Sequence, residues 1–222
     1  MSEATMKHSA RAWNMAAPIY GAIIQHPFNQ DLTKGTLSQD KFHYYIEQDS
    51  LFLKDFATCM ELIAAKLPPE YASKFLGFAK TTTAVAEFII KQYAPAEYSY
   101  ENKGKLSRAT LSFTSYLLRV ASVEPVEIAV AAILPSFWLY RESALTIAAA
   151  SVANNPYSAW IKTISSEQLG AQVQEVLVVF DALAEKTTDE IRKKMLEAFS
   201  KSAMLEWHFW NDVYEAIVFD HV

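Results

Sequence analysis

The sequence predicts an all-α protein folded as one helical bundle. Glycine is scarce, at 5 of 222 residues, whereas a sheet protein of this length needs Gly-rich turns at short intervals. Alanine, the best helix former, occurs 32 times. Apolar residues make up 51% of the chain, which excludes disorder, and they recur with helical periodicity.

Each element has its own start and stop signals. A first helix is expected from about Glu3 to Gln25, ending before Pro27. A short segment then closes at Gly35. A long helix begins after Ser38 and runs to about Lys66, where Pro68 and Pro69 stop it and open the next, which reaches about Tyr93. The stretch from Ala94 to Lys105 is polar, contains Pro95 and Gly104, and reads as a loop. Helices follow over about Ser107 to Ala121, and from Pro125 to about Val152 with an internal Pro135. Asn154-Asn155-Pro156 marks a turn before a short helical piece. Ser165 with Gln168 reads as a capping box for a helix to about Glu185, and Thr187 with Glu190 as a second box for a last helix to about Ile217. No repeat or flexible linker interrupts the series, so residues 1–222 are expected to form a single domain.

Composition narrows the function. A net charge of -5 without a Lys/Arg cluster disfavours nucleic acid as the partner, and with it a role in transcription. A single Cys excludes a disulfide scaffold or a cysteine-based zinc module. No GxGxxG or GxxxxGK[ST] phosphate loop occurs. The polar N-terminus lacks a secretory pattern, and Ile128 to Tyr140, at 13 residues, falls short of the roughly 20 that a membrane span needs. A cytoplasmic protein without membrane contact is the expectation.

Candidate functional residues are polar groups on stripes that ought to be apolar. Asp49 lies in the middle of the face defined by Phe42, Tyr45, Ile46, Phe52, Leu53, Phe56 and Met60. Glu206 repeats the pattern, with Phe199, Ala203, Phe209, Trp210 and Val213 at -7, -3, +3, +4 and +7. A buried carboxylate is costly unless it is partnered or protonated, so two such acids suggest a polar cavity. The third signal is Leu134 to Tyr140. There Pro135 removes a helix hydrogen bond, Ser136 follows it, and Tyr140 shares the face of Ser136 one turn later.

Other residues carry less. Asp40-x-x-His43 could place two ligands on one turn, but Asp40 stands where a helix start is capped. The side chains of Glu206 and His208 diverge by roughly 200°, and neither Glu-x-x-His nor HExxH is present, so no metal is expected. Cys59 reads as a core cysteine, and Glu190 to Lys194 as a solvated face.

Several segments together resemble the TenA family, the thiaminase II or aminopyrimidine aminohydrolase group. They are Tyr44 to Ser50, Phe113-Thr114-Ser115, Leu134 to Tyr140, Asn155-Pro156 with Trp160, and Glu206 to Trp210. The resemblance spans nearly the whole chain and implies a haem-oxygenase-like helical fold. It also implies a ring-contacting role for Asp49, a proton-handling catalytic role for Glu206, and a wall of the site at Tyr140. Tyr45 and Trp210 join as candidate substrate contacts, since aromatic faces stack on heterocycles. In the thiol branch of the family a nucleophilic Cys follows the helix proline; here Ser136 stands there. Three positions that are Tyr in the family read Phe52, Phe113 and Ile164.

The resemblance implies a cofactor-free hydrolase that replaces a group on an aminopyrimidine by water and releases hydroxymethylpyrimidine. Its partner is then a small-molecule aminopyrimidine, and the assembly a homo-oligomer, by resemblance a tetramer. A non-catalytic pyrimidine- or small-molecule-binding protein on the same fold is the alternative. A cofactor-free or diiron oxidase-like relative is a third.

Overall fold

A computed structural model describes residues 6–94 and 106–217 of the chain. Among them are nine α-helices and no strand: α1 (His8–Gln25), α2 (Pro27–Lys34), α3 (Gln39–Ala64), α4 (Pro69–Tyr93), α5 (Arg108–Val123), α6 (Val126–Ala150), α7 (Ser158–Ile164), α8 (Glu167–Lys186) and α9 (Asp189–Tyr214). The expected start at Glu3 and the expected loop over 95–105 lie outside the described residues. No described helix is long and apolar enough to cross a membrane.

Capping explains most boundaries and corrects several. Ser38 Oγ accepts from Lys41 N at the head of α3, leaving Asp40 in the first turn rather than at the cap. Pro69 opens α4 at a position where a missing N–H costs nothing. Gly35 ends α2 in the left-handed conformation, φ +69°, and a Cβ there would approach Pro156 Cδ to 2.9 Å. The expected box at Ser165 does not form. Ser165 Oγ donates back to Ile161 O at 2.8 Å, closing α7, and Ser166 is the N-cap of α8 without a side-chain bond. The second box does not form either: Thr188, not Thr187, caps α9, its Oγ1 accepting from Ile191 N at 3.3 Å, and the residue three on from it is Ile191, which cannot bond back. The expected ends at Val152 and Ile217 retreat to Ala150 and Tyr214.

The described helices fall into two compact units. One draws on Met1–Thr36 and Glu124–Trp207, the other on Leu37–Val123 and His208–Val222, so α9 contributes to both. In the first, α6 packs on α1, α2, α7 and α8. The uninterrupted apolar run Ile128–Pro135 is wholly buried, which makes α6 the central rod of that unit. Asn155 ties its far end down: Nδ2 donates to Leu32 O (2.8 Å), Thr33 O (3.1 Å) and Ser151 Oγ (3.0 Å), while Oδ1 accepts from Tyr157 N (2.8 Å). That turn is a structural clamp, and Trp160 is buried just beyond it.

In the second unit α3 packs on α4 and α5. Two buried polar groups fix the head of α5. Gln48 Oε1 accepts from Ser107 N (2.9 Å) and Thr110 Oγ1 (2.8 Å). Asp212 Oδ2 accepts from Ala109 N (2.9 Å), a first-turn amide that no helix carbonyl can serve.

Candidate functional site

The face of α3 that carries Asp49 is buried as its spacing predicts. Phe42, Tyr45, Ile46, Phe52, Phe56 and Met60 all lie in the core, with Leu53 at its margin. The aromatic residues form one connected group within the second unit. Tyr45 stacks on Trp210 with centroids 5.5 Å apart at 18°. Phe52 stacks on Phe56 at 5.4 Å, and it meets Phe113 at 5.0 Å and Phe209 at 6.1 Å. Asp49, 8% exposed, lies one turn from both Tyr45 and Phe52 on that helix. Burial alone raises its carboxyl from 3.8 to about 7, with no neighbouring cation to oppose the shift. Five of the predicted site residues therefore converge here: Tyr45, Asp49, Phe52, Phe113 and Trp210. Phe209 belongs with them as the ring bridging Tyr45, Phe52 and Trp210.

The other four, Ser136, Tyr140, Ile164 and Glu206, belong to the first unit. Trp138 of α6 meets Phe199 of α9 edge to face at 6.4 Å, so these two helices pack on each other there. Glu206 is 5% exposed, and neither carboxylate oxygen has a hydrogen-bond partner. Burial holds its pKa well above the ordinary carboxylate value, and no charge contributes. Burial thus favours its protonated form, and the fold itself makes no use of the carboxyl.

Ser136 Oγ is buried and unbonded as well. It follows Pro135, through which α6 continues as one helix although the proline withdraws the N–H that would reach Ala131 O. Ser136 and Glu206 are thus not hydrogen-bonded to each other, and no base touches the serine hydroxyl. A serine needs such a base to become a nucleophile. Ile164 is buried at the end of α7.

Cys59 is fully buried, and burial with the nearby Asp55 pushes its thiol up to about 12. It is an inert core residue, as expected. No group of three or more His, Cys, Asp and Glu among the described residues is placed to hold a metal ion.

The sequence reading missed buried hydroxyls. Ser143 and Ser202 lie in the core with unbonded Oγ atoms, on α6 and α9 respectively. Each sits on a stripe already singled out: Ser143 is seven residues after Ser136, and Ser202 four before Glu206. Serine is small enough to pass as apolar filler in a periodicity count, which hid both.

Known proteins resemble this chain in sequence and in fold. The Aminopyrimidine aminohydrolase of Bacillus subtilis is 35% identical over 214 residues, covering 94% of this chain and 90% of that protein. A TenA homologue from P. horikoshii OT3 superposes with a TM-score of 0.84 at 20% identity, over 95% of this chain and 99% of the other. A domain of unknown function with a heme oxygenase-like fold from Shewanella denitrificans OS217 gives 0.75 at 16% identity, over 93% and 92%. The fold is thus the haem-oxygenase-like helical one. Residues 13–216 match the TENA/THI-4/PQQC family, and the chain belongs to that family.

Proposed function

We propose that this protein is an aminopyrimidine aminohydrolase of thiamin metabolism, which replaces the leaving group of an aminopyrimidine by water and releases hydroxymethylpyrimidine. One observation carries the reading: Glu206 is a buried acid with both oxygens unbonded and a raised pKa, which no structural role explains. The relative named for the same reaction supports the substrate class.

In this reading Glu206 is the general acid/base. As an acid it protonates the departing amine, and the resulting carboxylate takes a proton from the attacking water. Asp49 pairs with the ring nitrogen and amino group. A carboxyl poised near 7 can ionise when such donors arrive, because hydrogen bonds to the charged form favour it. Phe52, Phe113, Tyr45 and Trp210 provide aromatic faces, with Tyr140 as a hydrogen-bonding wall and Ile164 as an apolar one. Ser136 stands at the nucleophile position but has no base on its hydroxyl, so water is assigned the attacking role. The functional unit is the whole chain as one domain, read as cytoplasmic and, by resemblance, tetrameric.

The test is direct. Wild-type protein incubated with aminomethylpyrimidine should release ammonia and hydroxymethylpyrimidine, with Glu206→Gln inactive. Absence of product from every thiamin-derived pyrimidine would overturn the hydrolase reading. The unactivated Ser136 favours the binding-protein alternative as the second reading: thermal stabilisation by a pyrimidine without any product is its signature.

A further inference from the structure

Six helical hydroxyls of this protein are satisfied within their own helix. Thr33, Thr58, Thr81, Thr83, Ser122 and Thr163 each donate to the carbonyl four residues back, at 2.7 to 3.3 Å. That bond is the ordinary way for a hydroxyl to be satisfied within a helix. Ser202 does not take it. Its side chain is completely buried, and its Oγ bonds neither Ala198 O nor anything else. A buried hydroxyl left unbonded is destabilising, because it gives up its bond to water and gains none.

Ser202 sits one helical turn before Glu206 on α9. Side chains four apart on a helix are neighbours, with about 5–6 Å between Cβ atoms, and both lean towards the helix N-terminus. The register therefore puts both residues on one face of the helix, with the glutamate the longer of the two. Ser200 points roughly 120° away from the Glu206 direction and does not share this relation. Two side chains on one face of one turn are thus buried with their polar atoms unbonded. Burial is the whole cause of the Glu206 shift; no charged group from any packed element acts on it.

We propose that Ser202 is a positioning residue for Glu206, its hydroxyl donating to the carboxylate whenever Glu206 has given up its proton and fixing the orientation in which it takes one back. A hydroxyl is suited to this because it can donate to the ionised group and accept from the protonated one. The bond to the charged form is the stronger, so Ser202 eases ionisation. This inference rests on the reading of Glu206 as the proton-handling group.

The experiment uses the full-length protein with Ser202→Ala, Ser202→Thr and Glu206→Gln. Infrared difference spectra identify the Glu206 carboxylic C=O stretch by its loss in Glu206→Gln, and its titration is then followed in the other proteins. The expected result is a midpoint about one pH unit higher in Ser202→Ala and close to wild type in Ser202→Thr. Turnover should show kcat reduced roughly 10-fold in Ser202→Ala, for loss of a hydrogen bond to a charged group, with KM unchanged. An unchanged midpoint in Ser202→Ala overturns the proposal, and so does an equal shift in both serine variants. If Glu206→Gln is fully active the catalytic reading of Glu206 fails instead, while the infrared titration still decides whether Ser202 holds that carboxyl.

Discussion

Helix α9 carries two buried acids that solve burial in opposite ways. Asp212, 4% exposed, accepts from Ala109 N at 2.9 Å and lies 3.5 Å from the guanidinium of Arg108. It fastens the first turn of α5. Glu206, 5% exposed, has no hydrogen bond at all, and burial with nothing to compensate its charge favours the protonated form. Depth of burial does not distinguish them; partners do. An acid that the fold satisfies belongs to stability, whereas one left unsatisfied at a cost of kilocalories needs another reason to be present.

The largest expected effect tests the unsatisfied acid. Glu206→Gln should lower turnover by about 100- to 10,000-fold, the range for loss of general acid/base assistance. Its melting temperature should stay at or near that of wild type, because the amide is of similar shape and breaks no hydrogen bond of the carboxyl. A large drop in melting temperature would place Glu206 with Asp212 and break the comparison.

Asp49 resembles Glu206 in that burial alone raises its pKa, and the shifted pKa supplies the sign. Folding raises it from 3.8 to about 7, so below pH 3.8 the folded and unfolded forms are both protonated and no penalty exists. As pH rises through that window the unfolded chain ionises first and stability is lost, by on the order of 4 kcal/mol in all, with little further change above about 7. Asp49→Asn should therefore melt higher than wild type at pH 8, and the difference should close towards pH 4. Denaturant melts across this range would measure it. A constant gap would mean that Asp49 has an ionic partner in the folded state.

Asp212→Ala is the converse experiment. It leaves the Ala109 N–H without an acceptor at the buried head of α5, which should cost about 1–3 kcal/mol in chemical denaturation. Arg108 is 59% exposed, so its share of that loss is small. Activity per folded molecule should be unchanged; a loss of kcat beyond the folded fraction would show that partnered acids on α9 also serve the chemistry.

Much of this contrast was legible in the sequence, and the missing part has one cause. Periodicity placed Asp49 and Glu206 on buried faces because helical spacing is local information. It could not separate Glu206 from Asp212, since the partner of Asp212 begins a helix 103 residues earlier. Gln48 was invisible for the same reason: its partners Ser107 and Thr110 lie across 59 and 62 residues. The Asn155-Pro156 segment helped to carry the family resemblance, yet its hydrogen bonds clamp α2 to the turn before α7. Sequence likeness marks what a fold keeps without saying whether it keeps it for structure or for chemistry. The misread capping box is a different failure, because Ser165 could bond forward or back and the carbonyl of Ile161 won.

The smallest effect applies the same distinction to two neighbouring helix starts. Thr188 caps α9 with its side chain, taking the Ile191 amide at 3.3 Å, whereas Ser166 stands at the head of α8 without a side-chain bond. By residue type both are favourable caps, so propensity predicts similar costs for replacement by alanine. The bonding pattern predicts otherwise. Thr188→Ala should destabilise by about 1 kcal/mol and Ser166→Ala by under about 0.5 kcal/mol, since only the first leaves an amide without its acceptor. Paired denaturation curves with equal slopes would resolve that difference. Equal losses would mean that Ser166 bonds its helix in solution. The presence or absence of a partner would then be a poor guide at exposed helix ends, and an unsatisfied group would point to function only where burial keeps water from taking the partner's place.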